Sequence, residues 1–332
     1  MTERMAAITR IDWVTSRIRA IPYLLLLRHA IKNWYVLPLF KLGLMKKIRL
    51  RLNSGRIVNI RNDDEFFNFI HRDKLWAREL IRSMGFPIRM GRGRVTAEIL
   101  GRDAHFSYAS ESTLGATLGP IIDLLAKDEY AHADPKGRIV VDVGAGIGDT
   151  PIYFAFKGAK HVYAFEPYPY AYNAAKRNIS INKLGKRVTL LNAGASDRDT
   201  AIRISGRHVS SSESDLSEGI SRNGKRIPIY SLKRIVEEFG IEDAVLKMDC
   251  EGCEQHAIMS AEASTLRKFD QIILEYHHGY IDLGKKIADA GFDVARTSPR
   301  YFGYSNIKDP DMYIGIIYAK RKPERPASQK PL

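Results

Sequence analysis

Between residues 138 and 320, short apolar runs alternate with longer amphipathic stretches, the pattern of a parallel sheet covered by helices on both faces. Runs at 139–143, 161–166, 188–192, 244–249, 271–276, 292–296 and 312–319 predict seven strands, the last two as a hairpin-like pair. Upstream the period changes. Residues 48–52 and 56–60 flank Asn53-Ser54-Gly55, and residues 95–100 and 104–108 flank Gly101-Arg102-Asp103, so each set predicts a β-hairpin. One helix is expected between them, over 63–84, stopping near Gly85 and Pro87. Residues 5–47 read as short helical pieces broken by Pro22 and Pro38, with Trp13, Leu24, Trp34 and Phe40 set among Arg17, Arg28, Lys41 and Lys46. The chain therefore divides into a helical arm (1–47), a small α+β region (48–137), an α/β domain (138–320) and a tail expected to be disordered (321–332).

Charge sharpens this division. The net +14 is not spread evenly: residues 1–100 hold 20 Lys/Arg against 8 Asp/Glu, residues 320–332 hold 5 against 1, and the middle is close to neutral. A basic arm on a neutral core suits anionic lipid, nucleic acid or an acidic partner. The apolar run at residues 23–27 is far shorter than the ~18 residues of a membrane span, so the expectation is a soluble, cytoplasmic chain, at most peripheral to a membrane. With Cys250 and Cys253 as its two cysteines, no disulfide framework is expected, which fits a reducing interior.

The chemistry concentrates where the first α/β strand ends. Val141-Asp142-Val143-Gly144-Ala145-Gly146-Ile147-Gly148 is a buried strand running into a glycine turn, followed by Asp149-Thr150-Pro151 at a helix start, where Asp149 or Thr150 is expected to cap. Glycines let the backbone approach a ligand closely. The Gly-x-Gly-x-Gly spacing and the acid just before the loop favour a cationic ligand over a pyrophosphate, because Asp142 would repel the latter. Glu166 closes the next strand, 18 residues after Gly148, where a carboxylate can accept both hydroxyls of a ribose. Together Asp142, Gly144, Gly146, Gly148, Glu166 and Pro167 read as a site for S-adenosylmethionine, with Ala195 and Ser196 after the third strand lining its adenine. The fold class is then α/β: the Rossmann-like, seven-stranded class I methyltransferase fold, with an N-terminal helical and β-hairpin extension.

These residues resemble the FkbM-type methyltransferase family over roughly residues 137–292. The likeness rests on the glycine loop, on Ala164-Phe165-Glu166-Pro167, on Leu246-Lys247-Met248-Asp249-Cys250-Glu251-Gly252-Cys253-Glu254 and on Ile273-Leu274-Glu275-Tyr276-His277. The resemblance implies methyl transfer, usually to oxygen, on a sugar hydroxyl or small molecule. The family usually has Asn at the place of Gly146, and Val and Ala at those of Cys250 and Cys253. On that ground the two cysteines are read as packing residues.

Methyl transfer needs collinear alignment and, for a hydroxyl acceptor, a base. Asp249 ends the fourth α/β strand on the ligand-binding edge, and Glu251, Glu275, His277 and His278 arrive there too. Asp249 or His277 is expected as general base, with Glu251 orienting the acceptor or its loop; capping of the next helix is the structural alternative for Asp249 and Glu251. A metal on Asp249, Glu251 and a histidine is the weaker reading, and none is expected. The polar run 207–222 is either an acceptor-binding loop or mobile surface. The expected activity is O-methylation of a sugar, glycolipid or small-molecule acceptor. RNA methylation and a non-catalytic cofactor-binding scaffold are the alternatives; the absence of an Asn-Pro-Pro-Tyr-type element after the fourth strand counts against a nucleic acid acceptor.

Overall fold

The computed structural model describes residues 25, 27–110, 113–204, 224–301 and 313–323. The first half of the basic arm, the polar run 207–222 and most of the tail lie outside the described residues.

After a 3-10 turn at Leu27–His29, helix α1 (Val36–Lys41) accommodates Pro38 in its first turn, where no amide partner is lost. Strands β1 (Ile48–Arg51) and β2 (Ile57–Ile60) form the first expected hairpin. The helix expected over 63–84 is two helices, α2 (Asp63–Arg72) and α3 (Lys74–Met84). Asp73 separates them: its backbone is extended, and its carboxylate caps α3 through the N–H groups of Leu75 and Trp76 while gripping the Arg56 guanidinium. The apolar period carries through this break and conceals it. Strand β3 (Ile88–Gly91) then joins β4 (Arg94–Ile99) and β5 (Arg102–Ser107), adding one strand to the second expected hairpin, and α4 (Leu114–Lys127) leads toward the main sheet.

The α/β part runs β6 (Ile139–Val143), α5 (Asp149–Phe156), β7 (His161–Phe165), α6 (Pro169–Ile181), β8 (Val188–Leu191), β9 (Gly194–Ala195), β10 (Thr200–Ile204), β11 (Lys225–Tyr230), α7 (Leu232–Glu238) and β12 (Ala244–Met248). It continues through α8 (Cys253–Ser260), α9 (Ala263–Leu266), β13 (Phe269–Tyr276), α10 (Ile281–Asp289), β14 (Phe292–Arg296), β15 (Arg300–Tyr301) and β16 (Tyr313–Arg321). The main sheet has the order β14-β16-β13-β12-β6-β7-β8; β16 is antiparallel to both neighbours and also pairs with β15. All seven expected strands are present in the seven-stranded path. A small sheet of β9, β10 and β11 was not expected, since β9 is a two-residue strand and reads as part of a turn.

Side chains alternate across the sheet. Val140, Val245 and Ile273 face one layer, with Ile152, Phe154 and Ile179 of α5 and α6; Val141, Val143, Leu246 and Met248 face the other, with Ile235, Ala257 and Ile287. The first layer also takes in Ile31, Leu37, Leu50, Trp76 and Phe106, so the N-terminal elements share a core with the sheet. By the same alternation Asp142 and Lys247, paired in register on β6 and β12, fall on one face.

Candidate active site

The cleft lies outside the carboxyl ends of β6, β7, β12 and β13. Leaving β6, the chain turns through Gly144 (φ +83°), Gly146 (φ +52°) and Gly148 (φ +88°). A Cβ on Gly144 would stand 1.8 Å from the backbone oxygen of Asp249, so the loop rests directly on the end of β12 and tolerates no side chain. The N–H groups of Gly144 and Ala145 both donate to the carbonyl of Phe165 at 3.0 Å, pinning the loop to β7. Gly148, not Asp149 or Thr150, occupies the cap of α5, and no side chain caps that helix. The positive end of its dipole therefore suits a ligand carboxylate.

Thr150 and Asp142 serve each other instead: the Thr150 hydroxyl donates to Asp142 Oδ2 at 2.6 Å. Asp142 is fully buried, and its Oδ1 lies 3.0 Å from the Nζ of Lys247, itself 1% exposed. Lys247 also donates to the Gly144 carbonyl at 2.6 Å. Burial opposes the charge on Lys247, but Asp142 and Asp249 outweigh it and hold its pKa above the ordinary value. The acid before the loop thus answers a cation of the protein, and its role is to fasten the loop from below. The sequence reading set Asp142 beside a cationic ligand; in the structure its nearest cation is Lys247. A lysine inside the apolar run 244–248 was the signal for it, since a buried ammonium needs a partner.

Glu166 does lie at the loop. Its Oε2 accepts from the Gly146 N–H at 2.8 Å and its Oε1 from the Tyr168 N–H at 2.9 Å. Burial pushes its pKa up to about 7 against the pull of those amides; burial also raises Asp149 to about 7, against the attraction of Lys247. Asn192 donates from Nδ2 to the carbonyls of Glu166 and Pro167, at 2.9 and 3.0 Å, clasping the following segment to β7. In that segment Ala195 is buried in β9, and Ser196, half-buried, donates its N–H to the Tyr230 carbonyl. Another residue not singled out from sequence is Asn178 of α6. Its Nδ2 donates to the Ile147 carbonyl at 2.8 Å, and its Oδ1 accepts from the Ser107 N–H, so the glycine loop is braced through α6 to β5.

On the opposite wall, Asp249 follows β12 half-buried, its N–H bonded to Val143. Glu251, also half-buried, adopts φ +57°, a left-handed conformation uncommon for a residue with a side chain. Cys250 and Cys253 are joined by a disulfide across this turn, which corrects the expectation of no bridge and of two packing residues; four residues of turn bring the two sulfurs together. His277, 2% exposed, is held between carboxylates: Nδ1 lies 2.9 Å from Glu254 Oε1, and Nε2 lies 3.3 Å from Glu251 Oε2. Burial opposes its charge, yet Glu254 and Glu251 keep its pKa well above the ordinary value. Both nitrogens of His277 are thus engaged by carboxylates, while Asp249, the other candidate base, is half-buried at the end of β12.

The residues fit S-adenosylmethionine. A Cβ on Gly146 would meet only the Asp149 carboxylate, at 3.5 Å, so the loop leaves room beside acids suited to an ammonium and a sulfonium. Glu166 is set at the end of β7, where a ribose edge would reach it, while the loop and α5 amides suit the ligand's carboxylate. A glycine loop of this build, on a sheet of this order, defines the S-adenosylmethionine-dependent methyltransferases of class I fold. Within that class, residues 142–299, just under half of the chain, match the family model described as the methyltransferase FkbM domain. Shorter likenesses reach further afield. The chain is 44% identical over 55 residues to the ribosomal protein L11 methyltransferase of Carboxydothermus hydrogenoformans, which is 17% of this chain and 18% of that one. It is 48% identical over 61 residues to "Probable histone-arginine methyltransferase CARM1" of Oryza sativa subsp. indica, 18% of this chain and 11% of that one. The matches thus span less than a fifth of these relatives. Among solved structures, magnesium protoporphyrin IX methyltransferase from Synechocystis aligns with TM-score 0.35 and 18% identity, over 61% of this chain and 79% of that one. An rRNA methylase from Streptococcus thermophilus aligns with TM-score 0.36 and 12% identity, over 59% and 94%.

Proposed function

We propose that the protein methylates a hydroxyl group on a sugar, glycolipid or small-molecule acceptor. The observation that carries this reading is the position of Asp249: a half-exposed residue whose backbone touches the glycine loop and which follows β12 at the same end of the sheet at which Glu166 follows β7. Bound S-adenosylmethionine supplies an electrophilic methyl group on a cationic sulfur. Glu166 and the Gly146 region orient the ribose end, and Ala195 and Ser196 border the adenine. Asp249 accepts the proton of the acceptor hydroxyl as its oxygen attacks, and Glu251 orients that acceptor, its side chain steadied by His277. Asp249→Asn is expected to lower kcat by about 10²-fold or more while S-adenosylmethionine affinity, read by calorimetry, stays within a few-fold. An unchanged kcat removes Asp249 from the role, and failure of the wild type to bind S-adenosylmethionine removes the whole reading.

The N-terminal surface suggests where the acceptor is met. Leu37 and Phe40 of α1 are buried, but Tyr35 (61% exposed), Leu44 (71%) and Leu42 face outward beside Lys46 and Lys47. Apolar side chains ringed by lysines suit the surface of an anionic membrane. Among the described residues no helix is long and apolar enough to cross one.

A further inference from the structure

We propose that Asp249, Glu251 and His277 form a site for a hard divalent cation, of the Mg²⁺ or Mn²⁺ kind, at the acceptor side of the cleft. This deepens the hydroxyl-methylation reading and rests on it for the cation's role, though not for its binding.

One oxygen each from Asp249 and Glu251 and one nitrogen of His277 lie within 4.8 Å of one another. Oxygen ligands stand about 2.1 Å from such a cation, so neighbouring ligand atoms are roughly 3 Å apart. His277 Nε2 and Glu251 Oε2, at 3.3 Å, already have that separation. Asp249 closes the set by a side-chain rotation that its half-exposed position permits.

The second observation is the support behind the ring. Glu254, 1% exposed, accepts from the backbone N–H of His277 at 3.2 Å and lies 2.9 Å from its Nδ1. A buried carboxylate on one imidazole nitrogen fixes the ring and leaves the other nitrogen beside Glu251, the arrangement that orients metal-binding histidines. A third carboxylate, that of Glu275, lies 4.0 Å from Nε2. With Asp249 and Glu251, four acids gather about one imidazole, a donor set suited to a hard divalent ion. The Cys250–Cys253 bridge holds the turn that carries Glu251.

Three protein ligands leave about half of an octahedral shell open. Those positions face the cleft, so the cation would bind the acceptor hydroxyl, and a neighbouring oxygen where the acceptor has one. One Asp249 oxygen is left to receive the proton.

The test uses the full chain, stripped with a chelator and titrated with Mn²⁺, whose free form is counted by electron paramagnetic resonance; a hard ion is chosen because it suits carboxylate oxygens. S-adenosylmethionine binding is measured separately by calorimetry. We expect one Mn²⁺ per chain, affinity reduced at least about tenfold in Glu251→Gln and in Asp249→Asn, and about 10- to 100-fold in Glu254→Gln. S-adenosylmethionine affinity should be preserved in all three, which also shows that they fold; if one does not, the others still read the site. Wild type that binds S-adenosylmethionine but no Mn²⁺ saturably overturns the metal site and leaves the methyltransferase reading standing. So does Mn²⁺ binding unchanged in Glu251→Gln and Asp249→Asn. Saturable, ligand-dependent Mn²⁺ binding with no S-adenosylmethionine binding supports the site and strikes the methyl-transfer reading instead.

Discussion

Replacing Lys247 by methionine keeps most of the side chain's volume but leaves Asp142 buried without its cation, a loss of about 3–5 kcal/mol. Denaturant melts should show that loss, and Asp142→Leu added to Lys247→Met should recover much of it; a single variant as stable as wild type would mean that the pair is not fastening the loop. Glu166 and Asp149 yield a pH signature. Their pKa values stand near 7 in the fold, against ordinary values of 4.5 and 3.8. A raised carboxyl pKa stabilises the fold where the group is protonated: the contribution is complete below about pH 4 and is lost as pH climbs through 7. The cations of S-adenosylmethionine favour the ionised forms, so its binding should release protons near pH 6 and tighten toward pH 8. Calorimetry in buffers of different ionisation enthalpy counts those protons, and proton-neutral binding at pH 6 would contradict the assignment.

At the scale of elements, Asn178 links three pieces: α6, the glycine loop and β5. Asn178→Ala leaves the Ile147 carbonyl and the Ser107 amide without that partner, at about 1–3 kcal/mol for a buried group, and should weaken S-adenosylmethionine binding although no contact with the ligand is removed. The Cys250–Cys253 bridge closes so short a turn that chain entropy assigns it only about 2 kcal/mol. The double variant Cys250→Val, Cys253→Ala should therefore fold with a modest fall in Tm, and a collapse would show a larger role. The strands of the main sheet were legible because each is one apolar run of strand length bounded by turn residues, and the glycine loop because its chemistry is contiguous. The break at Asp73 was not, since the residue that ends one helix caps the next without disturbing the apolar period. Nor was the setting of His277, whose partners Glu251 and Glu254 come from a turn more than twenty residues away. Periodicity reports which face a residue takes; it does not report which distant side chain it meets there.

At the scale of the molecule, the chain pairs a nearly neutral catalytic sheet with a basic N-terminal region that presents Tyr35, Leu42 and Leu44 beside lysines. If that face docks on anionic lipid, the protein should sediment with phosphatidylserine-containing vesicles at low salt and less so above about 0.5 M salt, where screening is short-ranged. Leu44→Glu should release it without altering S-adenosylmethionine affinity, and equal recovery with neutral vesicles would argue against charge-guided docking. The central claim, that the methyl group goes to a hydroxyl of a glycan, glycolipid or small molecule rather than of a nucleic acid, is tested most directly by following label from methyl-labelled S-adenosylmethionine into a fractionated cell extract. We predict alkali-stable label in the glycan, lipid or small-molecule fraction, lost with Asp249→Asn; label confined to RNA or protein would contradict that acceptor class.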